Sequence, residues 1–176
     1  MNLKDYVYNI ESFDEKGKSH KDLTPIFEHG EAFKEAVKQL TKFSKKLKPD
    51  LIVSPESKGF ILGAAVASRL GIGFVPVRNP KNLTREFAQS SYSLETGATK
   101  ELACHNDAIK KNYRIVIIDD KLSTGNTLKT TIDLVEKLGG NVVGCAALLE
   151  LTDRNGRDKL KGYNVISLIK DTTTIE

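Results

Sequence analysis

The sequence predicts an α/β fold with a mainly parallel, twisted sheet flanked by helices. Short apolar runs that read as buried strands alternate with segments of helical periodicity along most of the chain, the pattern of repeated strand–helix–strand units. One such run, Ile115-Val116-Ile117-Ile118, passes into two adjacent acids, Asp119 and Asp120, then into a small-residue turn and an amphipathic segment. At 176 residues the chain fits one domain, residues 1–176, and is long enough to bury a substantial core.

Residues 31–47 predict the first long helix, because Phe33, Ala36, Val37, Leu40, Phe43 and Leu47 recur at helical spacing with lysines on the opposite face. Pro49 and Asp50 end it, and residues 51–53 form a short buried strand. Residues 59–70 read as a helix rich in small residues, suited to close packing on a sheet, and residues 74–77 as the next strand. Residues 78–101 are long, polar and rich in Ser and Thr. A loop of that length is usually functional, with room for a hairpin around residues 90–95. Strand 112–118, helix 125–138, strand 141–149 and strand 163–168 complete the order. Residues 12–21 are polar and read as an exposed arm or loop.

Composition excludes several classes. Apolar residues at 39% and charged residues at 28% are ordinary for a soluble globular protein. The net charge of +4 leans weakly towards anionic ligands and does not by itself indicate nucleic acid. The basic run over residues 42–48 fits the solvated face of the first helix and has no aromatic platform for single strands. No apolar run approaches the ~20 residues of a membrane span, and the N-terminus lacks the apolar core of a secretory signal. Cys104 and Cys145 make neither a metal spacing nor a disulfide framework, and Cys145 lies in a strand-like run, so it reads as a buried thiol. The expected location is cytoplasmic. His29 and His105 have no partners at ligand spacing and read as surface residues.

The segment from Arg114 to Leu128 carries the chemistry. Ser123, Thr124, Gly125, Asn126 and Thr127 stand between a strand and a helix, where backbone N–H groups and the helix dipole offer an anion site, most often for a phosphate. Asp119 and Asp120 can accept hydrogen bonds from sugar hydroxyls, so the pair beside a phosphate cradle suits a ribose 5-phosphate. Neighbouring strand residues point to opposite sides, so the two acids need not share one role. Read alone, the turn has the alternative of a Thr-capped strand-to-helix connection, and the acids that of a solvated pair or of one acid capping the following turn.

This segment resembles the phosphoribosyl-diphosphate signature of type I phosphoribosyltransferases: an apolar run, two acids, two variable residues and a Thr-Gly-Gly-Thr-like loop. The resemblance extends over nearly the whole chain, through KDLTPIF (21–27), PESKGFILGAAVA (55–67), GIGFVPVRNP (71–80), SYSLETG (91–97) and ALLELTDRNGRDKL (147–160). It is nearest to the members that use adenine. It implies phosphoribosyl transfer from phosphoribosyl diphosphate to adenine, giving AMP and diphosphate in purine salvage. It also implies Mg²⁺, a homodimer, a small N-terminal hood over residues 1–30 and a flexible active-site loop over residues 79–101.

Residue by residue, the resemblance implies a ribose-phosphate site at Asp119, Asp120 and Ser123 to Thr127, with Asn126 where the family usually has a second Gly. Asn tolerates the left-handed region better than most residues. Ser57, Lys58 and Gly59 match the diphosphate loop, where the family commonly has Arg in place of Lys58; Lys keeps the charge without the bidentate fork. Arg78 matches an arginine that reaches the diphosphate of a neighbouring subunit, and Lys81 stands beside Asn82, where the family often has Lys. Glu95 matches a loop carboxylate near the reacting centre, with Thr96 in place of a frequent Tyr and Tyr92 nearby. His20 and Lys21 match the hood that stacks on the base and reads its edge through backbone groups, with His20 replacing an aromatic. Without the resemblance, Lys58, Lys81, Arg85 and His20 read as solvated polar residues, and Tyr92 as a hairpin aromatic. Two further readings stay open: another purine base (guanine, hypoxanthine or xanthine), and a non-catalytic phosphoribosyl-diphosphate-binding regulator.

Overall fold

The computed structural model describes residues 1–11 and 19–173. A five-stranded sheet forms its centre, in the order β4-β3-β7-β8-β9, with every neighbouring pair parallel. In chain order, a small antiparallel pair, β1 (Tyr8–Glu11) and β2 (Ser19–Asp22), is followed by helices α1 (Thr24–Glu28) and α2 (Gly30–Leu47). Then come β3 (Leu51–Pro55), α3 (Gly59–Leu70) and β4 (Gly73–Val77). The antiparallel hairpin β5 (Phe87–Ser93) and β6 (Thr99–His105) precedes β7 (Arg114–Leu122), α4 (Asn126–Lys137), β8 (Asn141–Leu151) and β9 (Val165–Asp171).

The alternation of side chains along β7 divides the core into two. Val116 and Ile118 pack with Leu40 of α2 and with Leu62 and Val66 of α3. Ile115 and Ile117 face the other way, against Leu128, Ile132 and Val135 of α4. All four β7 residues are fully buried, which is why this strand reads as a continuous apolar run rather than an alternating one. Helices α3 and α4 therefore cover opposite faces. Adjacent strands β3 and β7 send their crossovers in opposite directions, and the crevice this opens at their carboxyl ends is where open parallel sheets bind ligands.

Several boundaries differ from the sequence expectation for physical reasons. Strand β7 does not stop at Ile118: it continues through both acids because β8 runs alongside, pairing Lys121 with Leu149 and Leu122 with Glu150. Helix α2 starts at Gly30, where the His29 ring nitrogen Nδ1 accepts the N–H of Ala32 at 3.4 Å. The expected loop over residues 78–101 is largely the β5–β6 hairpin, whose base is pinned by Leu102 and Cys104 in the core and by a bridge between Arg78 and Ala103. Of the expected arm, residues 12–18 lie outside the described residues, whereas His20 and Lys21 belong to strand β2.

Two residue readings are corrected. Lys21 is not an exposed arm residue: it is 8% exposed, with Nζ 3.0 Å from the Asp171 carboxylate. His105 is not a surface residue but half-buried, and its Nδ1 is shielded with no partner among the described residues. Cys145 is buried in β8 as expected, and burial pushes its thiol up to about 12 and that of Cys104 to about 11. Among the described residues no helix is long and apolar enough to cross a membrane.

Close packing of α3 on the sheet is required by sequence at Gly63. A Cβ there would meet Ser54 Oγ at 2.1 Å and Phe74 Cε2 at 2.8 Å. We expect Gly63→Ala to destabilise the fold by about 1–3 kcal/mol through overpacking, read as a lower midpoint in urea denaturation with an unchanged slope.

Candidate functional site

At the carboxyl end of β7, a cavity of about 190 Å³ is lined by Asp119, Asp120, Lys121, Leu122, the whole turn from Ser123 to Thr127, Leu128, and by Glu56 and Lys100 from across the crevice. The turn is built for an anion. Gly125 takes φ 79° and precedes the first residue of α4, and no side chain caps that helix, so its first-turn N–H groups stay available to a ligand. Asn126 is that first helical residue and needs no positive φ. The left-handed position belongs to Gly125, so substitution of the family's second Gly leaves the turn's backbone intact.

Both acids line the cavity despite the alternation of the strand. Asp119 is 5% exposed and its Oδ1 accepts the Asp120 N–H at 2.8 Å, while Asp120 is half-buried. Burial first, and then the negative charge of Asp120, hold the Asp119 carboxyl well above its ordinary value of 3.8. Gly59 permits this arrangement from the β3 side, since a Cβ there would come within 3.1 Å of Asp119 Oδ1 and 3.2 Å of the Ile118 carbonyl.

The β3 side of the crevice carries Glu56, Ser57, Lys58 and Gly59. The Glu56–Ser57 peptide is cis. Ser57 is exposed and Lys58 half-buried at the start of α3. Glu56, Ser57, Asn79, Lys100, Glu101 and Leu102 line a second cavity of about 220 Å³, so Glu56 and Lys100 belong to both cavities. Glu56 also organises the segment after β4: it accepts from Arg78 Nε at 3.3 Å, the Asn79 N–H at 3.2 Å and Asn82 Nδ2 at 3.4 Å. Arg78 is thus held by Glu56 of its own chain and lines neither cavity, and the Lys81 side chain is exposed.

The remaining predicted residues lie outside these two cavities. Glu95 sits at the tip of the β5–β6 hairpin with its side chain 73% exposed, ion-paired to Arg154. His20 is exposed on β2. The Lys21 side chain is committed to Asp171. Tyr92 does join the site: its hydroxyl is 2.7 Å from Thr127 Oγ1, linking the hairpin to the turn from Ser123 to Thr127. Sequence reasoning missed Lys100 and the role of Glu56. Lys100 is placed by the hairpin register, opposite Tyr92, and nothing in its local sequence marks it. Among the described residues no three His, Cys, Asp or Glu side chains converge on a point that could hold a metal.

The Phosphoribosyl transferase domain family matches residues 25–176. The chain is 45% identical to an adenine phosphoribosyltransferase from Thermoanaerobacter pseudethanolicus, with a TM-score of 0.91 over 96% of this chain and 98% of that one. This chain belongs to the adenine phosphoribosyltransferase family. A second member, from Rhodothermus marinus, is 39% identical with a TM-score of 0.89, covering 96% of each chain. The Saccharomyces cerevisiae member is 31% identical with a TM-score of 0.86, over 94% of this chain and 96% of that one. Its structure was determined with an iminoaltritol bisphosphate and adenine. Family membership accounts for the fold, with its five-stranded parallel sheet.

The raised carboxyl of Asp119 makes stability depend on pH. Above the ordinary value of 3.8, the unfolded chain loses a proton that the folded protein keeps, so stability falls as pH rises until the folded value is passed. Replacing Asp119 with Asn removes this slope. Asp119→Asn is expected to flatten the stability profile and to be the more stable protein near neutral pH without ligand, measured by urea denaturation from about pH 5 to about pH 8.

Proposed function

We propose that this protein transfers the 5-phosphoribosyl group from phosphoribosyl diphosphate to adenine, giving AMP and diphosphate. One observation carries the reading: the acid pair and an uncapped helix N-terminus line one cavity, facing the Ser57–Lys58–Gly59 turn across the crevice between β3 and β7. The turn from Ser123 to Thr127 holds the 5-phosphate, Asp119 and Asp120 the ribose hydroxyls, and Ser57, Lys58 and Gly59 the diphosphate. The lining of both cavities by Lys100 adds a cation between the two phosphate regions. The backbone of His20 and Lys21 reads the base, with the His20 ring stacked on it.

In the reaction a base nitrogen bonds to the anomeric carbon as the bond from that carbon to the diphosphate oxygen breaks, through a cation-like ribosyl transition state. Most of the catalytic work is positioning and shielding of charge. Glu95, brought over the site by closure of the hairpin tip, accepts or relays the proton leaving the base. Mg²⁺ bound beside the acids would neutralise charge on the diphosphate and so assist its departure. The donor set fits this ion, because Mg²⁺ usually takes one or two carboxylates plus substrate phosphates rather than an all-protein cage. Asp119 and Asp120 are the carboxylates that would hold it, directly or through water.

We also read the protein as a cytoplasmic homodimer. Arg78 and Lys81 line neither of the two cavities at the strand ends, and Ile61, Phe87 and Leu94 are large apolar side chains at 37–44% exposure. Residues 1–30 serve as the hood, and residues 79–101 as the closing segment of a single catalytic domain.

The direct test is diphosphate release from phosphoribosyl diphosphate and Mg²⁺ with adenine, hypoxanthine, guanine and xanthine supplied separately. Release with adenine alone is expected. Release only with an oxopurine keeps the chemistry and overturns the base, whereas binding of the donor without turnover of any base points to the regulator. Glu95→Ala should lower kcat by about 10²–10⁴-fold, the usual worth of a positioned acid or base, with a smaller change in KM. Asp120→Asn should raise KM for phosphoribosyl diphosphate by about tenfold, the loss of one charged hydrogen bond.

A further inference from the structure

We propose that Arg157 and Glu150 are positioning residues that set the ribose-phosphate turn from behind, acting through the backbone of Gly156. The proposal rests on the phosphoribosyl-binding reading of residues 123–127.

The turn has a floor made of peptide. A Cβ on Gly125 would come within 2.3 Å of the Gly156 carbonyl oxygen, and one on Gly156 within 2.0 Å of the Ser123 carbonyl oxygen and 2.7 Å of the Gly125 nitrogen. The two backbones are therefore in direct contact, and no side chain fits between them. Gly156 opens a short 3₁₀ turn, Gly156–Leu160. From the same turn Lys159 sends its Nζ to Asn126 Oδ1, at the start of α4. Wherever this turn sits, the phosphate-binding N–H groups follow.

Arg157 fixes where it sits. Its guanidinium donates from Nε to Glu150 Oε1 at 2.9 Å and from Nη2 to the other carboxylate oxygen. It also donates from Nη1 to the Val165 carbonyl at 3.0 Å and from Nη2 to Ser167 Oγ at 3.2 Å. A bidentate fork of this kind specifies orientation as well as attraction. The Glu150 side chain is only 8% exposed, and Arg157 holds its carboxyl below the usual carboxylate range. Glu150 lies opposite Leu122 in the β7–β8 register, one residue before the phosphate turn begins. The turn is thus held between the end of β7 in front and a floor tied to the neighbouring strand behind. A paired buried carboxylate adds little net stability compared with an apolar pair, whereas a small displacement of a ligand cradle is costly for binding geometry.

The test uses the whole protein and reads ribose 5-phosphate binding by calorimetry, with KM for phosphoribosyl diphosphate and for adenine measured alongside. Arg157→Ala should weaken ribose 5-phosphate at least tenfold and raise KM for the donor similarly, leaving KM for adenine within about twofold. Arg157→Lys, which keeps the charge and loses the fork, should recover only part of the loss. Gly156→Ala removes neither partner of the ion pair and should reproduce the phosphate-specific loss. Unchanged ribose 5-phosphate affinity in Arg157→Ala, or equal losses for donor and adenine, overturns the proposal. If Arg157→Ala does not fold, unchanged affinity in both Arg157→Lys and Gly156→Ala overturns it instead. Failure of the wild-type protein to bind ribose 5-phosphate overturns the reading of the turn itself, and this proposal with it.

Discussion

The parallel pairing of β3 with β7 is the contact on which everything else in this molecule depends. Three consecutive register pairs, Leu51 with Ile115, Ile52 with Val116 and Val53 with Ile117, join strands whose following helices leave to opposite faces. That divergence keeps the space beyond the strand ends clear of connecting chain. Two turns then face each other across it: one from β3 with Glu56 to Gly59, the other from β7 with the acids and the Gly125 turn. Neither is distinctive as an isolated peptide. Their value comes from being presented on adjacent rigid strands.

The electrostatics of the crevice are unbalanced in a way that suits a polyanion carried with a cation. Glu56, Asp119 and Asp120 line the same cavity as Lys100 and Lys121, while the helix end supplies partial positive charge. The acids sit on one side of the turn and the N–H groups on the other, so a ligand with hydroxyls next to a phosphate matches both. The desolvated position of Asp119 marks a site where burial has been tolerated for reasons other than stability.

Local features of the chain were legible, and long-range ones were not. Helix α3 was readable at both ends because Gly59 and the left-handed cap Gly71 are local punctuation. The acid pair and the Gly125 turn stood out because strand, turn and helix are contiguous. The extension of β7 through Leu122 was not readable, since it depends on a neighbour at residues 149–150. Lys100 and Arg157 escaped for the same reason: one is brought in by a hairpin register, the other by a turn folding back on β8 and β9. The burial of Lys21 needs Asp171, 150 positions further along the chain. Strand alternation implies only that Asp119 and Asp120 need not share one role; that Asp119 accepts the Asp120 N–H while both line the cavity depends on the local conformation at the strand end.

The raised carboxyl of Asp119, set by burial and then by the charge of Asp120, has a thermodynamic consequence for ligand capture. A cation entering the cavity favours the ionised form of this group, so its arrival expels a proton into solvent. By reciprocity, affinity for such a ligand rises with pH over the interval in which the empty site still holds that proton. The observed binding heat then includes the enthalpy of protonating the buffer, and differs between buffers of different ionisation enthalpy. A carboxyl buried at the end of one strand thereby makes the capture of any cation-bearing ligand in this cavity responsive to the proton activity of its surroundings.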